Sequence, residues 1–379
     1  MLGPLTPARI ARRVQGDVER TALRARNGIK YVAGLDAPEV GLTPSTTAWE
    51  RDRARLLRYD AAPVRFGPPL LIVHSLLARA YVWDLLPDQS FVRMLSEAGH
   101  EVYLLDWGEA TALDAGNSLE TYVDDYIPEA VAAVRGRARS RNPIVMGYCF
   151  GGVLTTLFAA AHPRTLSGLI NVATPIDFHR LGPLTAMVRE NRLEPETMID
   201  ETGNVPGEVM RNALRLLRPT EDAVQYANLW QHLWNDRFME SYQAIGGWVR
   251  DDVPFPGATF RQAVDLFARE NALLAGEVPI GGRAVRLRDI SCPFLNVLAE
   301  KDHIVPVASA EPATALVGSK DASELRLNAG HVALLLGRHA STITIPAISE
   351  WLARHGGSSR TRRPAGTPTA AKPTSGKSR

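Results

Sequence analysis

The chain contains 379 residues, of which 45% are hydrophobic and 22% are charged, and its formal net charge is +2. These are the proportions of an ordinary globular protein, and no apolar run approaches the roughly 20 residues that cross a bilayer. Two cysteines, Cys149 and Cys292, exclude a disulfide framework, so we expect a cytoplasmic protein with neither a secretory signal nor a transmembrane segment.

Strands and helices alternate along the first half of the chain, after an arginine-rich stretch. Residues 1–60 are predicted to be helical and end in TTAWERDRARLLRYD. The apolar run PPLLIVHS at 68–75 predicts a buried strand, and EVYLLDW at 101–107 predicts the next. The segments DQSFVRMLSEAGH and SLETYVDDYIPEAVAAVRGRA place apolar residues at helical spacing. Two further strands, PIVMGY and LSGLINVATP, complete an α/β unit with a mostly parallel sheet over residues 61–175.

Residues 176–275 interrupt this alternation. They have helical patterns and many aromatic residues, among them Trp230, Trp234 and Trp248. The alternation resumes in residues 276–356 with CPFLNVLAEKDHIVP and SELRLNAGHVALLLG. We therefore expect a helical cap, or lid, inserted into one α/β core, with aromatic residues that fill the cap and cover the site beneath it.

The segment GYCFGG joins a predicted strand directly to a predicted helix. It has the form of a nucleophile elbow, G-x-S-x-G, with cysteine in the place of serine. Such an elbow requires Gly147, Gly151 and Gly152, where side chains would clash, and it exposes Cys149 at the positive end of the following helix. The alternative is a buried structural cysteine in a glycine-rich turn, because free cysteine is among the most buried residue types.

An elbow of this kind works with an oxyanion hole made of backbone N–H groups. One donor is expected from Phe150, which directly follows the nucleophile. The second donor is expected from the loop after the strand at 68–75, from the backbone of Leu76 or Leu77.

The order of nucleophile, acid and base along the chain favours catalysis over a structural cysteine. Asp302 follows a predicted core strand in AEKDHIVP, and His331 lies beyond the last strand in NAGHVALL. The set Cys149, Asp302 and His331 therefore runs in the order found in α/β-hydrolases. The sequence predicts an α/β-hydrolase fold, with a mostly parallel sheet, an inserted helical cap and a Cys–His–Asp triad.

Other polar residues near these motifs have simpler interpretations. Asp177 is a second candidate for the acid, but its place at the start of the cap favours a helix-capping role. His74 and His303 are more typical of local hydrogen bonding than of catalysis. Cys292, at the start of a core strand, is typical of core packing.

Residues from about 40 to 355 resemble polyhydroxyalkanoate synthases, and most of all the short catalytic subunits of the two-subunit types, class III with class IV near it. The resemblance covers the segment from PPLLIVHS to LLDWG, the elbow MGYCFGG, TPIDF, GNVPGEVM, the segment from ATFRQAVDLF to AEKDHIVP, and AGHVALL. G-x-C-x-G-G followed by D-H-I-V-P and G-H is a highly specific combination. Where the family commonly has asparagine after the first core strand, this chain has Ala78.

The resemblance implies that Cys149 carries the acyl group and that His331 is the general base. Asp302 is implied to act on His331, or through it on the substrate hydroxyl. The implied reaction joins (R)-3-hydroxyacyl-CoA units, such as 3-hydroxybutyryl-CoA, into a polyester. Coenzyme A is then a product, so neither a cofactor nor a metal is expected. Arg79, beside the oxyanion loop, is a candidate contact for coenzyme A.

The same resemblance implies partners that the residues do not reveal by themselves. These are a second synthase subunit of the PhaE or PhaR kind and the surface of polyester granules, with a homodimer as a further expectation. Two other functions fit the same residues. A thioesterase or other acyltransferase would use the same triad with water admitted to the acyl-enzyme. A redox-responsive scaffold would use Cys149 as a sensor thiol, but a sensor needs neither Asp302 nor His331.

The C-terminal residues 357–379 carry six basic residues and no acid, which leaves −4 for residues 1–356. Small residues, prolines and like charges predict a disordered tail. Such a tail is most often solubilising, although it could contact anionic surfaces. The rest of the chain has no basic motif interleaved with aromatic residues, so no specific nucleic-acid partner is expected.

Overall fold

The computed structural model describes residues 7–35, 37–138, 142–215 and 221–356, and the tail predicted at 357–379 lies outside them. Within these ranges, no helix combines the length and the apolar composition that crossing a bilayer requires. In the same ranges, His, Cys, Asp and Glu side chains do not group in threes in a way that could hold a metal ion.

Among the described residues, the strands form one large sheet and two short two-stranded sheets. In chain order, the strands are β1 (Ser45–Arg51), β2 (Ala54–Tyr59), β3 (Leu70–Val73), β4 (Val102–Asp106), β5 (Ile144–Tyr148), β6 (Gly168–Val172), β7 (Asn204–Val205), β8 (Phe255–Pro256), β9 (Glu277–Ile280), β10 (Arg283–Arg286), β11 (Phe294–Ala299) and β12 (Ala322–Leu327). The large sheet has the order β1-β2-β4-β3-β5-β6-β11-β12, and the short sheets pair β9 with β10 and β7 with β8.

Helices surround this large sheet and fill the long connection between β6 and β11. In chain order, the α-helices are α1 (Pro7–Val32), α2 (Phe91–Glu97), α3 (Ile127–Arg137), α4 (Phe150–Ala161), α5 (Pro183–Arg189), α6 (Gly207–Arg215), α7 (Glu221–His232), α8 (Asp236–Arg250), α9 (Gly257–Gln262), α10 (Ala272–Ala275), α11 (Val307–Ala310), α12 (Ala313–Leu316), α13 (Gly337–His339) and α14 (Ile345–Gly356). The helix predicted in SLETYVDDYIPEAVAAVRGRA opens with a wide π-type turn, Thr121–Tyr126, and continues as α3.

From β4 to β12, neighbouring strands of the large sheet run parallel, as predicted. Every residue of β3, β5, β6 and β11 is buried, because helices cover both faces of a parallel sheet. This arrangement brings the carboxyl ends of β5, β11 and β12 to one edge of the sheet. The predicted elbow, acid and base follow those three strands, so the fold collects them at that edge.

The helical prediction for residues 45–59 is wrong. This stretch forms β1 and β2, an antiparallel hairpin that turns at Asp52, and β2 pairs with β4. Ala54 and Leu56 are buried while Arg55 between them is exposed, which is the alternation of a strand with one covered face. Pairing with β4, far away in the sequence, outweighs the local helical preference of an arginine- and leucine-rich stretch. The large sheet therefore begins before residue 61.

Residues 176–275 contain α5 to α10 together with the short sheet of β7 and β8. Their helix α8 lies against the loop that follows β3. The indole Nε1 of Trp248 donates a hydrogen bond to the carbonyl oxygen of Arg79 at 2.8 Å. The Arg79 guanidinium in turn pairs with Asp251, directly after α8, at 2.9 Å.

Candidate active site

The nucleophile elbow is a sharp connection between β5, which ends at Tyr148, and α4, which begins at Phe150. Cys149 between them has φ 53° and ψ −123°, a conformation that is strained for a residue with a side chain. Its N–H donates to the carbonyl oxygen of Val172 in β6 at 3.0 Å, which fixes the turn to the neighbouring strand. The thiol therefore lies at the N-terminus of α4, above the edge of the sheet.

Three glycines make room for this turn. A Cβ atom at Gly147 would lie 2.5 Å from Cα of Gly152, and real Cβ contacts essentially never fall below 3.0 Å. A Cβ atom at Gly151 would meet the carbonyl oxygen of His74, and one at Gly152 would meet the hydroxyl of Thr174. At each of these three positions a side chain would clash with a neighbouring atom, so the elbow requires glycine there.

The acid and base of the predicted triad are hydrogen-bonded to each other. Asp302 Oδ2 accepts a hydrogen bond from His331 Nδ1 at 2.6 Å, and the Asp302 side chain has no solvent exposure. The other carboxylate oxygen, Oδ1, accepts from the N–H groups of Ile304 and Val305 at 2.9 and 2.8 Å. These two backbone bonds fix the carboxylate, so it orients the imidazole and leaves Nε2 for the reacting groups.

His331 lies close enough to Cys149 for the two side chains to interact electrostatically. Burial lowers the pKa of His331, but the Asp302 carboxylate and the Cys149 sulfur outweigh it and raise the pKa to about 10. The structure therefore brings the three predicted triad residues into one cluster, although they come from three separate loops. Their catalytic roles remain a prediction that the geometry supports.

Leu76 and Leu77 are the two candidates for the second oxyanion donor, and their backbone N–H groups differ in hydrogen bonding. The N–H of Leu77 donates to the hydroxyl of Ser75 at 3.2 Å, so this donor is already engaged. In the described part of the chain, the N–H groups of Leu76 and Phe150 make no hydrogen bond. Leu76 and Phe150 are therefore the pair available to a developing oxyanion.

Tyr148 packs against His331, and His74 and Trp83 pack against Tyr148, although no sequence pattern predicts a catalytic role for any of the three. The ring of Tyr148 lies 4.9 Å from that of His331, centroid to centroid, and stacks on His74 at 6.2 Å. Trp83 Nε1 donates to His74 Nδ1 at 3.0 Å. Burial lowers the pKa of His74 to about 3, so its imidazole is neutral at physiological pH. Tyr148 occupies the variable position of G-x-C, where no pattern marks it.

The remaining candidates lie apart from the triad or have other partners. Asp177 Oδ1 accepts hydrogen bonds from the N–H of His179 and the amide of Asn271, at 3.0 and 2.9 Å, as a capping residue does. His303 is exposed. Cys292 packs against the core, and burial raises the pKa of its thiol to about 11, so it is not a reactive nucleophile.

Arg79, the candidate contact for coenzyme A, is paired with two carboxylates in this structure. Its guanidinium pairs with Asp251 at 2.9 Å and with Glu109 at 2.8 Å. Burial lowers the pKa of this guanidinium, but both carboxylates outweigh that effect and raise it. In this conformation Arg79 joins the loop after β3 to the end of α8.

Comparison with known proteins places this geometry in a class. The family model described as the alpha/beta hydrolase fold matches residues 68–337. The parallel sheet, the elbow after β5 and the histidine after the last strand are the features of that fold. The chain therefore has an α/β-hydrolase fold, as predicted.

Curated relatives narrow this class to a family. The poly(3-hydroxyalkanoate) polymerase subunit PhaC of Allochromatium vinosum is 31% identical over 329 residues, which are 86% of this chain and 92% of that protein. The PhaC subunit of Haloarcula marismortui is 30% identical, with 84% of this chain and 69% of that protein covered. That of Haloferax mediterranei is 32% identical over 83% of this chain, which spans only 64% of that longer protein. The chain belongs to the family of poly(3-hydroxyalkanoate) polymerase subunits.

Proposed function

We propose that this chain is the catalytic subunit of a polyhydroxyalkanoate synthase, an acyltransferase that polymerises short-chain (R)-3-hydroxyacyl-CoA, with 3-hydroxybutyryl-CoA as the first candidate. One observation carries the proposal: a cysteine on a nucleophile elbow beside a buried His331–Asp302 pair, in a member of this family. Coenzyme A is released as a product, and we propose that neither a cofactor nor a metal takes part.

A thiol suits the first step better than a hydroxyl. The Cys149 thiolate attacks the thioester carbonyl, the oxyanion is held by the N–H groups of Phe150 and Leu76, and the thiolate of coenzyme A leaves with a proton from His331. One thioester is exchanged for another, so the acyl-enzyme stays reactive. A serine would form an oxoester, which is harder to pass on to the next acceptor.

Elongation uses the same base for a different proton. His331 Nε2 takes the proton of an incoming hydroxyl, either of a second hydroxyacyl unit or of the growing chain end. The hydroxyl oxygen attacks the thioester on Cys149, an ester bond forms, and the Cys149 sulfur leaves as a thiolate. Asp302 holds Nδ1 protonated throughout, which leaves Nε2 as the acceptor.

We propose that residues 176–275 act as a cap over a core made of residues 61–175 and 276–356, extended by β1 and β2. Contacts to the core support this role, since the ring of Phe255 meets the ring of Phe150 edge to face at 5.4 Å. An apolar cover beside the elbow would keep water from the acyl-enzyme. A chain of many units must still leave the site, so the cap has to open during turnover.

We also propose a second, helical synthase subunit as partner, in a cytoplasmic assembly at the surface of polyester granules. The isolated chain, alone or as a homodimer, should then be slow and show a lag. A partner that binds the open cap more tightly than the closed one would abolish this lag. Progress curves with and without the co-expressed second subunit test this, and a fast, lag-free isolated chain would contradict it.

Incubation with 3-hydroxybutyryl-CoA separates polymerisation from related activities. Release of coenzyme A is followed with Ellman's reagent in aliquots quenched at intervals, and the acyl product is analysed in parallel. Insoluble polyester that forms in step with coenzyme A release is the expected result. Soluble 3-hydroxybutyrate would indicate a thioesterase, and no release of coenzyme A would indicate a scaffold or sensor protein.

A further inference from the structure

Tyr148, the last residue of β5, takes no part in the proposed acyl and proton transfers. Its side chain is 3% exposed, and its ring packs near two imidazole rings. The His331 ring is 4.9 Å away, centroid to centroid, with 39° between the planes. The His74 ring is 6.2 Å away and nearly parallel to the phenol ring, at 9°. The phenol ring of Tyr148 therefore packs against the imidazole of His331.

Tyr148 is itself held by a buried tryptophan. Trp83 has no solvent exposure and packs edge to face on Tyr148, with centroids 5.8 Å apart and planes at 84°. The same indole donates its Nε1 hydrogen to Nδ1 of His74, which stacks on Tyr148. Displacing the phenol ring would require three buried side chains to move in a close-packed interior. It is therefore a rigid support.

The hydroxyl of Tyr148 adds a second contact to His331. It donates to the His331 carbonyl oxygen at 3.4 Å, a long hydrogen bond. Asp302 fixes only the Nδ1 edge of the imidazole and leaves rotation about the Nδ1–Oδ2 direction open. A ring against the face of the imidazole restricts that rotation, and the hydroxyl restrains the backbone that carries it.

We propose that Tyr148 is a positioning residue that sets the imidazole of His331 in register with the thiol of Cys149. Its backbone is joined to the nucleophile by one peptide bond, and its side chain contacts the base. A single residue thus links two loops that come from opposite halves of the chain. The inference rests on the proposed Cys149–His331 pair but not on polymerisation, so it is tested without an acyl-CoA substrate.

The test measures alkylation of Cys149 by iodoacetamide at pH 7, with the labelled peptides quantified by mass spectrometry. The thiolate form of a cysteine is the species that displaces iodide, and a correctly placed imidazole favours this form by accepting the thiol proton. Replacing the ring in Tyr148→Leu should slow alkylation of Cys149 about tenfold, because displacement of a reacting group by a fraction of an ångström is costly. Tyr148→Phe keeps the ring and should slow it only about two- to threefold, as expected for a long hydrogen bond.

Two controls separate positioning from a general loss of packing. Phe294→Leu makes a similar change at a fully buried position in β11 and should alter the rate by less than about twofold. Cys292 in the same protein samples is an internal reference whose slow labelling should stay the same. If Phe294→Leu slowed Cys149 as much as Tyr148→Leu does, the effect would come from the core and the proposal would be wrong.

A double-mutant cycle with His331→Gln gives the decisive comparison. If Tyr148 acts through His331, Tyr148→Leu should cause no further loss of Cys149 labelling once His331 is replaced. An equal loss in both backgrounds, or no loss from Tyr148→Leu in either one, would overturn the proposal. A synthase assay on the same variants is a separate measurement, so failure of the proposed reaction would leave this result interpretable.

Discussion

Replacing Asp302 by asparagine should impair elongation far more than the first acylation. The Asp302 carboxylate is fully buried and accepts three hydrogen bonds, from Ile304 and Val305 through Oδ1 and from His331 through Oδ2. The amide oxygen of Asp302→Asn would keep both backbone bonds, so the loop should stay folded. Its amide nitrogen would instead face Nδ1 of His331 as a donor, which moves the imidazole proton to Nε2.

The expected loss of rate differs between the two steps because elongation needs His331 to remove a proton and acylation does not. An alcohol cannot attack without losing its proton, and a base with the wrong tautomer costs on the order of 10³-fold or more, about 4 kcal/mol of barrier. A thiolate can attack without help, so acylation should lose only about tenfold, or about 1.4 kcal/mol. The expected ratio between the two losses is therefore about 100.

Rapid-quench measurements with 3-hydroxybutyryl-CoA resolve the two steps. The first turnover of coenzyme A release reports acylation, and the later steady rate reports elongation. Equal losses in both phases would contradict the reasoning that attack by the hydroxyl depends on the tautomer of His331 far more than attack by the thiolate does. Full activity would remove Asp302 from the mechanism altogether. Asp177, whose Oδ1 accepts hydrogen bonds from the N–H of His179 and the amide of Asn271, would then be the next candidate for the acid.

Further predictions concern the nucleophile, the cap and acid stability. Cys149→Ala should abolish coenzyme A release with an unchanged circular dichroism spectrum, and Cys149→Ser should keep at most a trace; release at the wild-type rate would refute the assignment. Arg79→Ala removes the ion pairs to Asp251 and Glu109 and should shorten the lag while hydrogen exchange in α8 rises. Glu311→Ala, which removes a half-buried ion-pair partner of Arg326 elsewhere, should change neither. Since burial holds the pKa of His74 near 3, against 6.5 unfolded, its contribution to stability is complete above pH 6.5 and is lost as the pH falls toward 3. Urea titrations of His74→Gln should therefore show a slope of unfolding free energy between pH 4 and 6 that is smaller by about 1.4 kcal/mol per pH unit, and an unchanged slope would contradict the burial argument.

The sequence predicts the elements of this site that depend on local chemistry. Glycines on both sides of Cys149 and a helix-forming run after it define the elbow, and chain order alone pairs it with Asp302 and His331. The hairpin at 45–59 escaped prediction because its pairing partner, β4, lies more than 40 residues away. Tyr148 escaped because its role depends on ring contacts across the sheet edge. The engagement of Leu77 by Ser75 depends on loop geometry that no spacing encodes.

Mass spectrometry of the intact protein and its peptides after brief exposure to 3-hydroxybutyryl-CoA tests the central claim most directly. Acid quenching should trap the chain with a 3-hydroxybutyryl group on the peptide that contains Cys149, and with oligomers of that unit at longer times. The label should be absent in Cys149→Ala and removed by hydroxylamine, as a thioester is. An unlabelled Cys149 in a chain that still forms polymer, or a label on Cys292 instead, would contradict the account.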